Sequence, residues 1–192
     1  MKRMMQVFLA IAALILPAAA AWADDYSDTI ALFKNAGQSA AFFDNSYGYA
    51  LFPTIGKGGF VVGGAHGKGR VFRQGKHVGD TSMTQVSVGF QAGGQAYSQI
   101  IFLQDKRAFD EFTSGKFAFD ASVGAVAITA AAGASAGTTS STAGVSGGKK
   151  DAANVGGYQK GMAVFTIVKG GAMYEASVAG QKFSYKPLAA SH

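Results

Sequence analysis

The sequence predicts a mainly β, α+β protein: an antiparallel β barrel or sandwich-like core with an N-terminal amphipathic helix and a short helix near 105–114. Three observations carry that expectation. Short runs of β-branched and aromatic residues recur along the chain, separated by glycine-containing turns. Helical periodicity is confined to two stretches. Glycine accounts for 27 of 192 residues and proline for only 3, and the Gly-Gly pairs at 58–59, 63–64 and 93–94 suit bends or bulges in strands that curl. An outer-membrane barrel is disfavoured, because spanning strands of about ten residues with an outward apolar band are longer than most runs here.

The first residues read as an export signal. Lys2 and Arg3 precede the apolar run Val7–Leu16, and Ala21-Trp22-Ala23 offers a small-residue cleavage site before Asp24. Residues 1–23 are therefore expected to be a signal peptide and 24–192 a single domain. The chain has no cysteine, which removes N-terminal lipidation, disulfides and thiolate metal sites from consideration. The expected location is the periplasm, or association with the cell envelope, without a lipid anchor.

From Tyr26 to Phe43 the spacing is helical: Ile30, Leu32, Phe33, Ala36, Gly37, Ala40 and Phe43 share one side, and Lys34, Asn35, Gln38 and Ser39 the other, with Phe42 in the polar sector. Such a helix can lie on the domain core or in a membrane interface, where Ile30, Phe33, Lys34 and Phe43 would make contact. Its polar face is poor in the Lys/Arg that interfacial helices favour. Tyr47–Phe52 reads as a buried strand ended by Pro53, followed by short strands at 60–62 and 70–73 and a turn at Gln74-Gly75-Lys76. In Gln85–Ala92, Val86, Val88, Phe90 and Ala92 alternate with Gln85, Ser87, Gly89 and Gln91, so the apolar set is expected inward. Tyr97–Leu103 is apolar on both faces and expected at the sheet centre. Asp105–Thr113 reads as a helix with Phe109 and Phe112 inward and Gly115 as its stop. Lys116–Ile128 alternates as a strand that runs to about Ser135, 137–153 reads as a loop, and Gly161–Val168, Ala172–Val178 and Lys182–Tyr185 read as an antiparallel meander.

The chain carries a net charge of +6; leaving out Lys2 and Arg3 leaves 15 basic against 11 acidic side chains. Between Asp44 and Asp80 there is no acid, while Lys57, Lys68, Arg70, Arg73 and Lys76 all fall there, with His66 and His77 among them. That block favours an anionic partner; composition alone is equally compatible with a solvated basic face. The glycine-rich stretch Gly56–Gly69 invites a phosphate loop, but no lysine meets the G-x-x-x-x-G-K-[ST] spacing. The dinucleotide fingerprint fails where Val61 stands, and the helix both motifs need is missing. Two G-x-S-x-G matches, at Ser135 and Ser146, lie in an Ala/Gly/Ser/Thr segment where chance matches are expected. No His or carboxylate set has metal-ligand spacing. No enzyme, nucleotide, nucleic acid or cofactor is expected.

The segment Gly48-Tyr-Ala-Leu-Phe-Pro-Thr-Ile-Gly-Lys-Gly-Gly-Phe60, with Val62-Gly-Gly-Ala-His-Gly-Lys-Gly69, resembles the SYLF domain family of lipid-binding proteins. The likeness continues through Val86–Phe102, Lys169-Gly-Gly171 and Gly180-Gln-Lys-Phe183. What the resemblance implies is binding rather than catalysis: relatives bind phosphoinositides and other anionic lipids, aided by an amphipathic N-terminal helix. For an exported bacterial protein the implied ligands are anionic phospholipids of the membrane surface, held by Lys57, Lys68, Arg70, Arg73 and Lys76, with His66 and His77 facing the headgroups. A second expectation, of another class, is a β-barrel carrier that encloses an apolar ligand or moves lipid between membranes, with Phe60, Phe90, Phe102, Phe119 and Phe165 lining its hollow.

Overall fold

A computed structural model describes residues 18–59, 62–88, 93–119, 126–129, 157–171, 178 and 180–189. Three helical pieces come first, α1 (Ala18–Asn35), α2 (Gly37–Ala40) and α3 (Phe42–Asn45). Strands β1 (Gly48–Gly59), β2 (Val62–Arg73), β3 (Lys76–Val88) and β4 (Gly93–Leu103) follow. Helix α4 (Lys106–Phe112) then precedes β5 (Val126–Thr129), β6 (Met162–Gly171) and β7 (Lys182–Pro187). The strands form one sheet in the order β5-β6-β4-β1-β2-β3-β7. The fold is mainly β with helices, as expected, but the described sheet is open, with β5 and β7 as its edges. The barrel is not formed.

The sheet is nonetheless curled. Gln99 on β4 and Gln181 beside β7 exchange amide hydrogen bonds of 2.8 and 3.1 Å, although three strands separate β4 from β7 in the sheet. The rings of Phe52 on β1 and Phe183 on β7 meet at 5.7 Å across the same concave side. This inner face holds one core, including Phe52, Ile55, Met83, Tyr97, Leu103 and Phe183, with Phe109 and Phe112 of α4 packed on it. The outer, convex face holds a second core of Tyr49, Leu51, Phe72, Ile100, Phe102 and Phe165 under Tyr26 and Phe33 of α1. Asp105 caps α4 by accepting from the Ala108 N–H at 2.8 Å, and Gly115 follows at φ +77°.

Several expectations are corrected. The helix over 26–43 is broken at Ala36, which is extended (φ −84°, ψ 107°). Ser39, expected on the polar side, is fully buried and donates to the Phe33 carbonyl at 2.6 Å, satisfying a group the break leaves open. Phe42 packs on Phe102, Tyr158 and Phe165 at 5.0–5.4 Å, while Leu32 is exposed. Strand β1 does not end at Pro53 but runs on to Gly59, because its pairing with both β2 and β4 shifts there. A proline lacks the amide hydrogen a central strand needs, and a bulge removes that need. At the start of the strand expected over 85–92, the described side chains have the opposite parity to that expected. Gln85 is buried and Val86 is 72% exposed, because the register with β2 and β7 points Met83 inward and Gln85 with it.

Of the strand expected over 116–128, β5 is what the described residues contain, and 120–125 lie outside them. Residues 117–119 instead run beside β7, with an Ala118–Lys182 bridge and Phe119 N–H donating to the Gln181 carbonyl at 2.9 Å. The C-terminal meander is not formed, since β6 pairs with β4 and β5 while β7 pairs with β3 at the other edge; the β5–β6 pair is parallel. Gln74 and Gly75, at φ 50° and 76°, make the expected turn. The loop at 137–153 and most of 172–178 lie outside the described residues.

The glycines of 56–69 divide by face. A Cβ on inward Gly69 would come within 2.6 Å of the Leu51 carbonyl oxygen and of the Phe52 ring, and one on Gly67 within 2.6 Å of Ile55. Outward Gly56 has nothing within 4 Å. The concave side is where curling brings backbones and side chains together. Gly69→Ala should therefore lower unfolding stability by about 1–3 kcal/mol through overpacking, whereas Gly56→Ala should leave it unchanged or raise it by about 0.5–1 kcal/mol. Urea denaturation of the two variants distinguishes these outcomes.

Candidate functional site

Strand alternation decides where the basic block goes. On β2, His66, Lys68 and Arg70 point outward with Phe72, while Ala65 and Val71 point inward. Lys57 follows Ile55 inward and is only 8% exposed. Arg73 and Lys76 are partners at the hairpin end, on the side of Val71. The seven residues therefore do not form one surface: His66, Lys68, Arg70 and His77 lie on the outer face, and Lys57, Arg73 and Lys76 on the inner one.

Pairing brings other residues to the outer face. Lys68 stands between Thr54 and Ser82, and Ser82 pairs in turn with Ser184. His66 stands between Gly56 and Thr84, and Thr84 pairs with Lys182. The next row is Gly94, Gly58, Gly64 and Val86. Lys169 from β6 donates to Thr54 Oγ1 at 3.1 Å and lies 3.7 Å from Asp25. These three rows hold cations, hydroxyls, bare backbone and the exposed Val86, and no carboxylate among the described residues. On the strands the first acid is Asp80, one row further, opposite Arg70 and Lys186, with His77 Nε2 at 3.0 Å; Asp25 of α1 reaches the other border through Lys169. Lys169, Lys182 and Lys186 were missed by the sequence reading. They lie about a hundred residues from the block, and only the β4–β6 and β3–β7 registers carry them there.

The helix sits on the other half of this face. Phe33 is fully buried, Ile30 is half-buried, and Phe43 stacks edge-on against Tyr49 and Phe102 at 5.3 and 5.0 Å. Lys34 lies over the Phe43 ring at 5.4 Å. The Arg70 guanidinium lies 4.2 Å over the Tyr26 ring, a cation–π contact. Burial raises the Tyr26 phenol above its ordinary pKa, and Arg70 partly offsets this. So of the four residues expected to touch a membrane, the three apolar ones face the sheet.

The inner face carries a polar layer that the sequence did not suggest. Gln95, Lys57, Ala65 and Gln85 form one cross-strand row, all buried. Beside it the Gln99–Gln181 pair reaches the Tyr97 hydroxyl at 3.4 Å, and burial pushes the Tyr97 phenol well up. No group of three or more His, Asp or Glu able to hold a metal occurs among the described residues. The serines of both G-x-S-x-G matches lie outside them. The hollow expected of a carrier is not assembled: Phe102 and Phe165 belong to the outer core and Phe119 to the inner one, while Phe60 and Phe90 lie outside the described residues. A cleft of about 80 Å³ lined by Glu111, Phe117, Phe119, Lys160 and Met162 is far below the several hundred Å³ of a ligand pocket.

Fold and site define a class: a curled, open, mostly antiparallel sheet with an outward cationic face partly roofed by an N-terminal helix. A model of the family described as Ysc84, Las17-binding protein actin regulator, matches residues 84–187, and the chain belongs to this family, the SYLF family. It is similar to Beta cell expansion factor A of Aeromonas veronii, with 29% identity over 158 residues, 80% of this chain and 51% of the relative. The chain thus spans about half the length of that curated relative.

Phe33→Ala should cost about 3–5 kcal/mol, as expected for emptying a buried phenylalanine site. Thermal or denaturant unfolding checks this; a variant as stable as the wild type would show that α1 is not held on the sheet.

Proposed function

We propose that this chain binds anionic phospholipid at the bacterial cell envelope and acts by binding rather than by catalysis. Membership of the SYLF family, which suggests lipid binding, supports the class of ligand. The observation that carries the choice of an anionic headgroup is the outward placement of His66, Lys68 and Arg70 on adjacent rows of one strand. Each lysine or arginine near an anionic membrane surface contributes about 1 kcal/mol. The signal-like residues 1–23 support export, which makes phosphatidylglycerol, cardiolipin or the phosphates of lipid A the accessible ligands. The helix aids binding only once it leaves the sheet, since Phe33 is buried while it is docked; no helix among the described residues is long and apolar enough to cross a membrane.

Flotation with phosphatidylglycerol-containing vesicles tests the reading. Binding should be strong at low salt, weaken as salt rises, be absent with pure phosphatidylcholine, and fall at least about tenfold in Lys68→Ala/Arg70→Ala. Salt-independent binding, or equal binding to neutral vesicles, would sink it.

A further inference from the structure

Resting on that reading, we propose that the docking surface is the outer face of β1, β2, β3 and β7. Lys68 and Lys182 are then its principal cations, the plane of an anionic bilayer is its occupant, and Lys57, Arg73 and Lys76 lie outside it. This face differs from the basic block of the sequence. It takes Lys182 from the last strand, and it leaves out three of the five clustered cations because they point to the concave side.

Charge complementarity identifies the partner. Lys68, His66 and Lys182 are exposed on consecutive rows that carry no carboxylate among the described residues, and their cross-strand neighbours are the hydroxyls of Thr54, Ser82 and Thr84. Beside them the surface drops to backbone on β4, β1 and β2, with the exposed Val86 of β3 at the end of that row. Gly56 is exposed with open space above it, and a Cβ on Gly64 or Gly94 would meet only ordinary contacts at 3.6 and 3.7 Å. The register through Gly56–Gly59 is regular, so these glycines make no bulge, and none of Gly56, Gly64 and Gly94 has a positive φ. What they do is keep the face low, so that the longer lysines can reach a flat charged surface together. An extended, shallow face suits a plane of headgroups rather than a single enclosed anion.

Two double reversals that change net charge equally separate the faces: Lys68→Glu/Lys182→Glu on the outer face and Arg73→Glu/Lys76→Glu on the inner side. The full chain is sedimented with vesicles of 30% phosphatidylglycerol in phosphatidylcholine. The outer pair should lose at least about tenfold more partitioning than the inner pair. Gly56→Asp, which has room for its side chain, should keep the unfolding midpoint and also weaken binding. Equal losses in the two pairs, or a larger loss in the inner pair, would overturn this assignment while leaving lipid binding standing. A fall in the midpoint of Gly56→Asp would show that the face is already covered by the protein itself and would equally overturn it. Failure of the wild type to bind these vesicles at all would overturn the lipid reading beneath it.

Discussion

Every residue of β1 beyond Phe52 takes its direction from the bulge around Pro53. Phe52 and Ile55 both enter the inner core, three positions apart, which an unbroken two-residue alternation forbids. The extra residue resets parity, and with it Lys57 turns inward and Gly56 and Gly58 turn out. Ser98 Oγ donates to the Pro53 carbonyl at 2.7 Å and fixes the irregularity from β4. Because β1 pairs on both sides, the two neighbouring strands inherit its register, and the two faces of the molecule are sorted from this one point.

The sorting gives the faces different chemistry. The concave side is crowded: its glycines are needed because Leu51, Phe52 and Ile55 occupy the space a Cβ would take, and its polar layer sets the paired amides of Gln99 and Gln181 beside buried Lys57, Gln85 and Gln95. The convex side divides into an aromatic half roofed by α1 and a low cationic half open to solvent. Arg70 and Lys169 stand at the seam, one under Tyr26 and the other beside Asp25. The helix therefore holds the edge of the charged face as well as the apolar half.

Much of this was legible in the chain. The buried central strand at 97–103, the Gln74-Gly75 turn and the inward pair Phe109 and Phe112 all follow from periodicity and turn chemistry. The amphipathic helix was legible in kind but not in extent, since the break at Ala36 depends on Ser39 finding the Phe33 carbonyl. Parity was the main loss. Val86 looks like a core residue beside Gln85 because apolar character usually marks the inner face, but here the register with β2 and β7 overrides it. The same blindness affected the site: a basic block in sequence is split by alternation, and Lys182 joins it through pairing between residues about a hundred positions apart.

The order of strands also bears on how the chain assembles. The four central strands, β4-β1-β2-β3, come from the unbroken stretch 48–103; β1, β2 and β3 pair through short connections, and β4 returns to β1 within the same stretch. Strand β7 must close a loop of roughly a hundred residues onto β3, which costs more entropy and slows the step. Until it does, the edge of β3 stands unpaired and open to the wrong neighbour. The residue that completes the charged face thus arrives with the strand that seals the sheet, and a chain that has not finished folding lacks both.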